Sequence, residues 1–148
     1  MANKIYLVII ITFLIFSCNI KNGYEDSKTF LNSNKEKLTI ICSEFRKYSD
    51  IQMVSLTELK DSSYHNIQIN TRHIDEVNFI NQIRDFLKAT GIKRIEKGYN
   101  SKLILFYLSN MDGIAFKISS DSYLDFDLAF AKHMLIDSNW YYFLDKTI

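Results

Sequence analysis

The densest acidic group in the chain is Asp121, Asp125 and Asp127, with Asp137 further on. Carboxylates are hard oxygen ligands, and Asp125 and Asp127 would share a strand face about 7 Å apart, a spacing that could hold Ca²⁺. The pattern departs from a calcium loop, since no glycine follows and no distal Glu closes it. A solvated strand face accounts for it without a metal. His65, His73 and His133 are scattered, and no pair has the spacing that puts two ligands on one helix face. Cys42 falls on an apolar stripe, where a thiol packs as a small hydrophobe; a nucleophile needs an electropositive, partly exposed setting. No phosphate loop, nucleophile elbow or paired catalytic carboxylates can be placed, so no catalytic residue and no cofactor is expected.

The aromatic side chains suggest binding chemistry instead. Trp140, Tyr141, Tyr142 and Phe143 alternate faces on a strand, so two of them point away from any one core. With Tyr107 and Tyr123 they could form an exposed patch that anchors an interface or stacks on sugars. The alternative is that both faces are covered. The candidate partner-binding residues are therefore Trp140, Tyr141, Tyr142 and Tyr123, with Asp125 and Asp127 beside them. A second reading is a hydrolase or small-ligand protein with a pocket between helices and sheet, using His65 or His133 with Asp125.

These residues need elements to position them. Leu38, Ile41, Cys42, Phe45 and Tyr48 recur at helical spacing and predict a helix over 34–49. Residues 51–56 and 64–69 read as strands, the second from the alternation of Ile67 and Ile69 with polar neighbours, and Lys60-Asp61-Ser62-Ser63 reads as their turn. Ile74, Val77, Ile80, Ile83 and Leu87 predict a helix over 72–89. Asp75 and Glu76 sit in its first turn, Lys88 in its last, and Gly91 at its cap, as the helix dipole and a left-handed C-terminus favour. A short strand opens at Ile92 and Ile95. Residues 103–108 are apolar on both faces, as in a central strand. Asn110-Met111-Asp112-Gly113 reads as a hairpin loop leading to the alternation of Ile114, Phe116 and Ile118. Residues 122–136 fit two patterns; unbroken alternation favours strand over 122–130, while Leu124, Leu128, Ala131 and Leu135 would also line a helix. A turn at 137–139 leads into a last strand over 140–144.

The N-terminus carries the most specific signal. Lys4 precedes an apolar run over residues 5–16, which ends in Ser17-Cys18-Asn19. A charged start, an apolar stretch and a small residue make a secretory signal, and the run is too short to span the ~30 Å hydrocarbon core. Ile15, Ser17 and Cys18 together resemble the lipobox of bacterial lipoproteins. The resemblance covers residues 1–18 alone. It implies lipidation at Cys18 and removal of residues 1–17, with the acyl chains holding the protein in the cell envelope. The expected location is the outer membrane, facing periplasm or exterior. Residues 18–30 then read as a lipidated cysteine and polar tether, and 31–148 as one globular domain.

About 130 residues remain after such cleavage, enough to bury a core without a metal or disulfide. Lys and Arg number 18 against 17 acids, and the chain has no proline. Near-neutral balance argues against nucleic acid, which demands surplus cation. The charge is polarised, however: residues 111–148 carry net −3 and residues 72–102 net +3. The expected architecture is α+β, two helices packed on one face of a mostly antiparallel five- to six-stranded sheet. The expected role is a small lipid-anchored envelope protein, a non-catalytic binding module for a protein partner, of the inhibitor or immunity type.

Overall fold

The computed structural model describes residues 2–98, 102–118 and 130–145. Residues 122–129 of the expected strand, and with them Tyr123, Asp125 and Asp127, lie outside these. In chain order the elements are α1 (Ala2–Phe45), β1 (Ile51–Ser55), β2 (Leu59–Asp61), α2 (Ile74–Thr90), β3 (Arg94–Lys97), β4 (Leu103–Tyr107), β5 (Asp112–Lys117), β6 (Phe130–Asp137) and β7 (Trp140–Asp145). The strands form one antiparallel sheet in the order β2-β1-β3-β4-β5-β7-β6. The fold is α+β, with seven strands where five or six were expected.

In the ambiguous C-terminal stretch the strand is β6, Phe130–Asp137, which takes in Asp137 from the expected turn. Pairing with β7 from Phe130↔Asp145 to Asp137↔Trp140 draws residues 130–137 into strand, which rules out the helical alternative there. A second difference lies at residues 57–71. The strand is Leu59–Asp61, overlapping the segment 60–63 read as turn, and residues 64–69 form no strand beyond an isolated bridge from Lys60 to Asn66. The Asp61 carboxylate accepts from the Ser63 and His65 backbone N–H groups at 2.9 and 3.0 Å, closing a side-chain turn that alternation alone does not reveal.

The first helix also runs further than expected. Residues 21–30, read as tether, are helical, and no proline interrupts them. Ser27 and Leu31 are fully buried, extending the stripe of Leu38, Ile41, Cys42 and Phe45 toward the N-terminus. Helix α2 lies close to its expected span, with Gly91 as a left-handed cap (φ 77°) whose N–H donates to the Leu87 carbonyl. Ile74, expected on the buried stripe, is 69% exposed; its position in the first turn carries it clear of the core.

One cluster joins Leu31, Leu38 and Phe45 of α1, Ile80, Ile83 and Leu87 of α2, and Val54, Ile95, Ile104, Phe106, Ile114 and Trp140 of the sheet. The alternate residues Leu103, Leu105, Tyr107, Ala115 and Phe143 form a second cluster. Strand β4 contributes to both and is buried throughout, as its apolar run predicts. The β4–β5 connection is made by Ser109, whose hydroxyl accepts from the Met111 and Asp112 N–H groups at 3.1 Å. Asp112 and Gly113 therefore belong to β5, not to the hairpin loop. Gly113 is required by close approach: a Cβ there would collide with the Phe106 carbonyl of the neighbouring strand.

Candidate functional site

Strand β7 is placed between β5 and β6, so both of its edges are paired. Trp140 is 2% exposed and packs between Phe106 and Phe116, with ring centroids at 5.9 and 4.8 Å. Tyr142 is equally buried and meets Tyr24 of α1 edge-on at 6.2 Å. Of the two readings of these aromatics, coverage holds for Trp140, Tyr142, Phe143 and Tyr107, which are all buried. Burial of the Tyr142 ring pushes its hydroxyl pKa up to about 12, and Asp112 beside it adds to the shift.

Of the expected binding residues within the described chain, Tyr141 alone keeps partial exposure. It pairs across the ladder with Leu135 of β6, which is 55% exposed, and its ring lies 6.3 Å from His133. Strand β6 is the outer strand at this end of the sheet. Helix α1 reaches it twice, through the Tyr24 hydroxyl donating to the Leu135 carbonyl at 3.1 Å and through a Lys35–Asp137 ion pair.

The remaining chemical candidates are dispersed. Cys18 falls within α1. Cys42 is 1% exposed, and burial pushes its thiol far above the ordinary range, the wrong direction for a nucleophile. His65 and His73 are exposed at opposite ends of the 65–73 segment. Among the described residues no three metal-ligating side chains come together, and no helix is long and apolar enough to cross a membrane.

A polar network on the sheet went unseen in the sequence. The Arg94 guanidinium lies 3.5 Å over the Tyr107 ring, and its Nε donates to Glu96 at 3.0 Å. Glu96 also accepts from the Tyr64 hydroxyl at 3.2 Å, and the Tyr107 hydroxyl donates to Asp145 at 3.1 Å. Burial, with Glu96 and Asp145 nearby, pushes the Tyr107 hydroxyl far up and keeps it a donor. Separate elements bring these residues together: Arg94 pairs with Tyr107 in the β3–β4 ladder, and Tyr64 arrives from outside the strands on a backbone at φ 60°.

Cavities lined by described residues include the following three. One of about 420 Å³ lies between α2 and the 57–69 segment, against Thr57, Glu58, Leu59, Asn66, Ile67, Ile69 and Arg84. One of about 400 Å³ lies between the helices, against Ile40, Ile41, Phe86 and Ala89. The third, about 210 Å³, is lined by Arg46, Ser49, Lys97, Ile104 and Ile118. Lys97 there is a structural group, since its ammonium donates to the Tyr48 carbonyl just past the end of α1. Burial lowers its pKa. No histidine lines any of the three.

Comparison with protein-family models, with curated proteins and with solved structures finds no match for this chain.

Proposed function

We propose that this chain is a small lipid-anchored envelope protein, held in the outer membrane through Cys18, whose domain binds a protein partner without catalysing a reaction. On this reading both helices cover one face of the sheet, and the partner meets the sheet's outer edge at β6. The observation that carries the reading is Leu135, a large aliphatic side chain 55% exposed on an outer strand, with half-buried Tyr141 and His133 beside it. Outer strands are natural pairing templates, and an exposed aliphatic–aromatic pair supplies an anchor of the kind that dominates interfaces. The net −3 charge of residues 111–148 favours a basic partner and speeds encounter with it.

Capture from envelope extracts, run in parallel on wild type and two variants, tests this. The wild type should retain a protein that Leu135→Asp loses and that Tyr141→Ala holds about tenfold more weakly. Retention should also fall with salt, as charge steering requires. Equal capture by all three proteins, or none by wild type, would count against the β6 surface.

A further inference from the structure

The cavity between α2 and residues 57–69 has the composition of a ligand site, and its volume of about 420 Å³ falls in the range of small-molecule pockets. Its walls are fixed by hydrogen bonds from within the segment. The Ser55 hydroxyl accepts from the Thr57 and Glu58 N–H groups, Ser55 N–H donates to the Glu58 carbonyl at 2.9 Å, and Ile67 N–H donates to the Leu59 carbonyl at 2.8 Å. Leu59, Ile67 and Ile69 form an aliphatic side that packs on the main core.

Arg84 of α2 also lines the cavity, a partly buried guanidinium whose Nε donates to the Ser55 carbonyl at 3.2 Å. Among the described residues Arg84 takes part in no ion pair. With Nε occupied by the backbone, the terminal N–H groups remain, the pair that grips a carboxylate through two parallel bonds. The acid lining the cavity, Glu58, is 49% exposed and lies 3.7 Å from Lys60.

We propose that this cavity binds an aliphatic carboxylate, with Arg84 holding the carboxylate and Leu59, Ile67 and Ile69 holding the alkyl group. Two sources share that chemistry, a free aliphatic amino acid and the C-terminal residue of a peptide. Glu58 separates them, since only the free amino acid brings an ammonium for it to pair with. The site is independent of the β6 surface and of the lipid anchor, so its failure leaves the proposed function standing.

The test is an NMR titration of the full chain in detergent with leucine, N-acetyl-leucine and N-acetyl-leucinamide at millimolar concentration. N-acetyl-leucine should shift the backbone amides of residues 57–69 and the Arg84 side-chain signal, and the amide analogue should not. Arg84→Gln should weaken N-acetyl-leucine at least tenfold, as loss of a charge-assisted pair predicts. Tighter binding of leucine than of N-acetyl-leucine assigns the free amino acid; the reverse assigns the peptide terminus. Equal response to acid and amide, or no response at residues 57–69, would overturn the proposal. Because acid and amide are compared on wild type, that result stands even if Arg84→Gln fails to fold.

Discussion

The Tyr142 hydroxyl stays protonated well past pH 10 because its ring is sealed under α1 and Asp112 lies beside it. Its folded pKa, up to about 12, exceeds its ordinary value of 10.0. The resulting stability is fully present below pH 10 and is lost as pH rises through the folded value, because the unfolded chain releases its proton first. Tyr142→Phe keeps the ring and removes the titration. Its denaturation free energy, measured between pH 10 and 12, should therefore fall less steeply than that of wild type, by up to about 1.4 kcal/mol per pH unit. Parallel curves would place the hydroxyl in solvent. Tyr107 and Tyr64 are shifted in the same direction and leave a residual slope in both proteins. Nearby on α1, the Ser27 hydroxyl is buried and finds no hydrogen-bond partner among the described residues.

Helix α2 separates what spacing predicts from what packing selects. Ile74 and Ile83 lie on one stripe in the sequence, yet Ile83 is fully buried in the main cluster and Ile74 is 69% exposed. Ile83→Ala should lower the stability measured in urea by about 2–5 kcal/mol, through lost burial and the cavity left behind. Ile74→Ala should stay within about 0.5 kcal/mol of wild type. Similar losses for the two would mean that the helix is rotated from the orientation described. The β1–β2 region teaches a related lesson. The alternation of Ile67 and Ile69 suggested a strand, but the Asp61 side-chain turn takes the backbone out of the ladder, and the two side chains pack instead on the main core.

At the scale of the whole molecule, the proposed anchor and the domain are closely coupled. Helix α1 is continuous from Ala2 to Phe45, and by Tyr24 its side chains already contact β6 and β7. Little chain therefore separates Cys18 from the folded domain, in contrast to the free tether that the polar residues 21–27 suggested. If Cys18 carries lipid, Cys18→Ala should lose incorporation of radioactive palmitate and move to the soluble fraction, while the denaturation midpoint of the domain changes little. A variant that stays in the membrane fraction, alongside a wild type that takes up no label, would refute the anchor.

Much of the architecture was legible in the chain itself. Local patterns named α2 with its glycine cap, the doubly apolar β4 and the final strand β7, because helical and strand periodicities are properties of neighbouring residues. The α+β class followed from them. The resemblance of Ile15, Ser17 and Cys18 to a lipobox rests on sequence alone. The exposure of the aromatics was not local. Trp140 and Tyr142 are buried because β7 lies between β5 and β6, and a strand's position in the sheet is set by long-range pairing. The Arg94–Tyr107 stack and the cavity at Arg84 have the same origin, since each joins residues from separate elements. Local periodicity determined α2, β4 and β7; tertiary packing decided the course of residues 57–71, the strand at β6 and which side chains are buried.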